Sequence, residues 1–263
     1  MSAASEIHGP VKSIPAEDWT VVLPHRGKKK KNNTTTTFSH NFVTPKRENE
    51  TQPWTPADVE TDPQRESRLM QKMQICIQGL VSSDFFNSFL NQMRSPETLA
   101  MFLRVLGSEP QMEMVIYGIG SIDSFEPPRL QLALAVLMKR SFDWIGNIQV
   151  FDPIISLTES RVLTSLGCEV MLVNEHGRRQ VIRPTLFFMP HCEVELYDNL
   201  LQANWRLDSL SRLVLFGNSF AEYEQQVSIS GCDLVSRQRV LAARSFADEI
   251  GVVCLAMSPL AGR

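Results

Sequence analysis

The chain has 263 residues, 43% of them hydrophobic, with a formal net charge of -3 and a pI near 6.0. That length supports one sizeable core, and the near-neutral charge gives no overall reason to expect nucleic acid or a membrane surface as partner. No apolar run reaches bilayer-spanning length, and the opening MSAASEIHGPVK lacks the charged-then-apolar order of a secretory signal, so a soluble intracellular protein with no membrane association is expected.

Residues 1–62 are enriched in Pro, Thr, Asn and Lys, include KKKKNNTTTT, and show no sustained apolar period. This composition predicts a disordered basic tail ahead of a single α/β domain over 63–263. Within the tail, EDWTVVLP (17–24) is an apolar island suited to docking on a partner. Beside it, Arg26, Lys28, Lys29, Lys30 and Lys31 have the density of a monopartite nuclear localisation signal, which presents point charges to an acidic groove on a nuclear import receptor. A solvated linker has the same composition. The five cysteines are odd in number, widely spaced and free of CxxC pairs, which suits packed, reduced thiols in the cytosol or nucleus.

From 64 to 106 the apolar period is helical: Leu69, Met73, Ile77 and Leu80, then Phe85, Phe86, Phe89, Leu90 and Met93. Ser95-Pro96-Glu97 supplies a cap, a first-position proline and a first-turn acid for a further helix ended by Gly107. Strands and helices then alternate. Strands are predicted at 112–117, 148–151, 169–173, 185–189 and 212–216, with helices from 128, 157–166, 193–205 and 220–226 between or after them. A last helix over 234–249 and a short strand over 252–257 complete the expectation. This order predicts a Rossmann-like, doubly wound, mostly parallel sheet with N-terminal helices, because right-handed crossovers place helices on both faces.

In such sheets ligands sit beyond the carboxyl ends of the strands, where this chain breaks into small polar clusters. Gly118, Gly120 and Ser121 follow the first strand, Asp152 the second, Glu175 the third, His191 the fourth, and Asn218 and Ser219 the fifth; together they are the candidate ligand-binding set. His191 is the candidate acid or base. The glycine motif is incomplete, however: Asp123 stands where a third glycine would be, and an acid there repels pyrophosphate. Asp152 lies further from the glycines than a ribose-binding acid should, and Asp152-Pro153 also makes an ordinary turn. Neither a metal site, a nucleophilic triad nor any particular cofactor is indicated.

VIYGIGSI, QLALAVLM, FDPIIS with Glu159 after it, LGCEVMLVNEHG, TLFFMPHCEVELYDNLLQANW and LVLFGNSF, in this order over roughly 110–225, resemble the SENSITIVITY TO RED LIGHT REDUCED family. The EDWTVVLP segment with its basic flank is similar to the tail of plant members. The resemblance implies a regulator of phytochrome B red-light signalling, of the circadian clock and of photoperiodic flowering, located in nucleus and cytoplasm and working through protein partners in those pathways. It supplies no catalytic residue. After about Gly231 the chain departs from the family pattern. The alternative from the fold is a small-molecule binding protein or a transferase using S-adenosylmethionine or a nucleotide. Direct nucleic-acid binding is not expected, because the basic residues sit in the tail and no recognition-helix or zinc pattern is present.

Overall fold

The fold is known from a computed structural model that describes the backbone of residues 19–24 and residues 53–56, 58–60, 62–221, 223 and 238–252. In chain order the elements are β1 (Trp19–Pro24), α1 (Pro63–Val81), α2 (Asp84–Met93), α3 (Pro96–Leu106), β2 (Met112–Tyr117), α4 (Glu126–Ser141) and β3 (Ile145–Phe151). There follow α5 (Leu157–Ser165), β4 (Cys168–Val170), β5 (Thr185–Met189), α6 (Val194–Ala203), α7 (Leu207–Leu210), β6 (Leu213–Gly217), α8 (Gln238–Arg244) and β7 (Ala247–Val252).

Helices α1, α2, α3 and α5 begin where a side chain accepts one of the first free amides. Asp62 caps α1 with Pro63 behind it, Ser83 caps α2 through Phe86 N at 3.1 Å, and Ser95 caps α3 through Thr98 N at 3.2 Å. Gly107 ends α3 with φ of 61°, a left-handed turn that suits a residue without Cβ. Ser156 and Glu159 form a reciprocal capping box on α5.

The sheet runs β4-β3-β2-β5-β6-β1-β7. The five strands from β4 to β6 are parallel, and their order, third-second-first-fourth-fifth, is that of a doubly wound fold with its switch point between β2 and β5. Side chains alternate between two cores as the pleat requires. Met114, Ile116, Leu186, Phe188, Val214 and Phe216 face the larger core with α1 to α5, whereas Val115, Tyr117, Phe187, Met189 and Leu215 face the smaller one with α6 and α8. Among the described residues no helix is long and apolar enough to cross a membrane.

Three expectations need correction. Trp19–Pro24 is not part of a disordered tail but a strand, antiparallel to both β6 and β7. The domain also starts before residue 63: Trp54 N donates to Leu172 O at 2.6 Å, Trp54 packs edge-on against Phe151, and Leu157 N donates to Asp58 O at 3.0 Å. At the other end, the expected long helix stops at Arg244, and Ala247–Val252 forms a strand because β1 offers it a complete pairing register. The proposed strand over 252–257 falls outside the described residues beyond Val252, as does most of the helix expected at 220–226. Residues Arg26 and Lys28 to Lys31 lie outside them as well.

Candidate functional site

The switch point is where β2 and β5 diverge, and the loops leaving them carry Gly118-Ile119-Gly120 and His191-Cys192. Both glycines have positive φ, 65° at Gly118 and 76° at Gly120. What presses on the first is not a ligand. Cys192 donates its thiol to Tyr117 O at 3.3 Å, and a Cβ on Gly118 would lie 2.8 Å from Cys192 Sγ. Burial, with Asp152 and Glu193 adding to it, pushes that thiol up to about 12, so it stays neutral at physiological pH.

Asp152 is buried and accepts Gly120 N at 2.8 Å and Ile154 N at 3.0 Å. It therefore ties the β2 loop to the β3 turn, engaging the acid that a ribose would need. Ser121 donates its hydroxyl to Glu159 Oε1 at 2.7 Å, and Glu159 also accepts Asp123 N and Ser156 N. Glu159 is 2% exposed, a depth at which a carboxylate requires this number of donors. Asp123, the acid in the third-glycine position, faces α1: Arg65 Nε donates to it at 2.7 Å and Lys72 Nζ at 3.4 Å. Burial raises its proton affinity, but these two cations outweigh burial and hold the carboxyl below its usual range.

Glu175 lies in the loop after β4 rather than on a strand, accepting the Tyr117 hydroxyl and Arg179 Nε. Burial first, and the neighbouring Glu175 second, raise the Tyr117 phenol, which keeps its proton as a donor. His191 adopts φ of 59° and is exposed; its amide donates to Asn218 Oδ1 at 2.9 Å. Asn218 is held in turn, with its amide donating to Tyr197 Oη at 3.0 Å and its side chain to Tyr223 Oη at 2.9 Å. Tyr223 donates to Cys192 O, and Tyr197, buried completely, donates to Met189 O at 2.5 Å. Ser219 donates to Glu249 Oε2 on β7.

All eight candidate residues thus gather at one edge of the sheet, as the strand ends required. Two bonds join members of the set, Gly120 N to Asp152 and His191 N to Asn218, and the rest run to neighbours such as Glu159, Tyr117, Arg179, Tyr223 and Glu249, so that the loops after the strands are fastened together. Glu159, Tyr197 and Tyr223 are central to this network and were not among the candidates; the Ser156-x-x-Glu159 spacing was the one local sequence feature pointing to any of them. Among the described residues no group of three or more His, Cys, Asp or Glu is placed to hold a metal. Two surface grooves lie elsewhere: one of about 730 Å³ at the amino ends of β5 and β6, the other of about 490 Å³ beside β4.

The class defined by this geometry is a doubly wound α/β protein whose switch-point loops are tied together by the protein's own hydrogen bonds. The SRR1 domain family matches residues 89–254, well over half of the chain. The chain is 51% identical to Protein SENSITIVITY TO RED LIGHT REDUCED 1 of Arabidopsis thaliana over 89% of its own length and 84% of that protein's. An SRR1-like protein of Mus musculus is 43% identical over 46% of this chain and 49% of its own, and one of Drosophila melanogaster 27% identical over 43% and 40%. This chain belongs to the SRR1 domain family. No solved structure matches it.

Proposed function

We propose that the chain is a regulator of red-light signalling that works through protein partners, without catalysis of its own. The observation that carries this reading is the 51% identity, over most of both chains, to a protein named for reduced sensitivity to red light. The geometry supports a binding role because Ser121, Asp152, Glu175, Asn218 and Ser219 at the switch point are each engaged in hydrogen bonds within the protein. In the finer reading the protein acts in the phytochrome B branch, affects the clock and photoperiodic flowering, and works in nucleus and cytoplasm, with Arg26 and Lys28 to Lys31 engaging an import receptor.

Expression in an Arabidopsis line lacking the relative tests this. The expected outcome is restored inhibition of hypocotyl growth under red light, dependent on phytochrome B, together with normal period and day-length-dependent flowering. Full accumulation of the protein with no restoration rejects the reading. Replacing Lys28 to Lys31 with Gln is expected to reduce nuclear accumulation of a fluorescent fusion.

A second reading, binding of a nucleotide, S-adenosylmethionine or haem, is favoured by one observation: exposed His191 and the positive-φ glycines stand at the switch point. A ligand of that site should raise the melting temperature, and His191→Gln should reduce the rise. Asp152→Ala is unsuited to this comparison, since it also unties the loop. No shift with any of the three rejects the second reading.

A further inference from the structure

The opposite edge of the sheet combines charge with exposed apolar surface in a way the switch point does not. The groove of about 730 Å³ at the amino ends of β5 and β6 is lined by Arg104, Arg183 and Arg212 against one acid, Glu109. Arg104 pairs with Asp248 at 3.5 Å and Arg183 with Glu113 at 3.7 Å, while Arg212 Nη1 donates to Ile182 O at 2.6 Å. The Arg183–Glu113 contact is long and exposed, a kind of pair worth little, so an incoming carboxylate can replace Glu113 at small cost. Ile182, 73% exposed, lies within the groove, and Leu207, 84% exposed, stands one helical turn before Ser211 on its wall. Trp205 and Phe246 meet edge-on at 5.8 Å next to that turn, and both keep over a third of their surface open.

Building on the partner-binding role proposed above, we infer that this amino edge is the docking face for an acidic peptide segment carrying large apolar side chains. Guanidinium groups suit carboxylates geometrically, and apolar anchors such as Ile182 and Leu207 supply the contacts that charge alone does not. The chain's own tail is a poor cover. β1 ends at this edge, with Pro24 opposite Ala247, and the segment that continues from it opens with Arg26 and Lys28 to Lys31, like-charged with the groove.

The test uses the full chain and a fluorescein-labelled synthetic peptide with Leu or Phe at every fourth position and Asp or Glu between, read by anisotropy. A counterpart with Lys at the acidic positions is the comparison. The acidic peptide should bind at least about tenfold tighter than the lysine peptide, and more weakly as salt is raised. Arg183→Glu with Arg212→Glu, and separately Ile182→Asp, should each weaken binding about tenfold, while Leu172→Asp on the far side of the sheet should leave it unchanged. Circular dichroism melts confirm that each variant is folded. Equal binding of both peptides, no saturable binding, or binding insensitive to the amino-edge variants overturns the inference. So does a concentration-dependent dimer abolished by Ile182→Asp, which would assign the face to a second copy. Failure of the wild-type chain to restore the red-light response would reject the functional reading yet leave the peptide measurement standing, so the two can be told apart.

Discussion

Cys192 Sγ lies 2.8 Å from the point that a β-carbon on Gly118 would occupy, so the switch point has no room for a side chain there. Gly118→Ala must displace a buried thiol and also hold φ near 65°, a conformation costing an alanine about 1–2 kcal/mol. Together with overpacking of about 1–3 kcal/mol, a loss of about 2–5 kcal/mol is expected in urea unfolding. Adding Cys192→Ala should return the steric part and leave the backbone part, a coupling that a double-mutant cycle reads directly. A single variant as stable as wild type would show that the thiol does not fill this space.

Asp152 is expected to act as a fastener. Its replacement by Ala leaves the part-buried amides of Gly120 and Ile154 without their acceptor, a loss of about 0.5–1.5 kcal/mol for each hydrogen bond. The unfolding midpoint should fall accordingly, and hydrogen exchange at the Gly120 amide should accelerate. Asn, which retains one acceptor oxygen, should lie between. An unchanged exchange rate in the Ala variant would refute the tie.

These two residues show how far the sequence could be read. The five parallel strands are legible because each is a continuous apolar run ending in a polar cluster, and burial on both faces leaves no other use for such runs. The gathering of Gly118, Asp152, His191 and Asn218 at one edge follows from that topology. Their engagement with one another does not, because it depends on distances between loops far apart in sequence: Asp152 meets Gly120 across 32 positions and Asn218 meets His191 across 27. Asp123 stands out in the sequence as an acid in the third-glycine position, but its partners Arg65 and Lys72 belong to a helix that sequence spacing cannot orient. β1 was missed for a similar reason. An isolated WTVVLP gains a partner only from β6 and β7, roughly two hundred residues on.

The Asp123 cluster makes stability depend on acid. Arg65 and Lys72 hold its carboxyl in the folded chain below the ordinary value of 3.8, so the folded state binds fewer protons than the unfolded one near that pH. The stabilisation is therefore present above about pH 4 and lost as pH falls through the lower folded value. Asp123→Asn should melt below wild type at pH 7, with the difference shrinking steadily toward pH 3. A gap of constant size across that range would mean the carboxylate's charge is not what holds α1 to the loop.

β1 ties β7 to the rest of the sheet, since β7 pairs with β1 and, among the described residues, no other strand lies beside it. Removing residues 1–24 takes away that link and also uncovers one edge of β6, whose five residues are all buried. An uncovered, apolar strand edge is a site for aggregation. The truncated chain should lose about 2 kcal/mol, a fall of about 4–8 °C in melting temperature, and residues 247–252 should exchange rapidly with solvent. Removal of residues 1–17 should do neither. The contrast bears on function as well, because a deletion of residues 1–62 would impair the fold along with the basic run. Loss of red-light response in that deletion can be assigned to the lysines only if Lys28 to Lys31→Gln, which keeps β1, gives the same loss. If the chain without residues 1–24 melts like wild type, β1 contributes nothing to the sheet's stability and the simple deletion becomes interpretable.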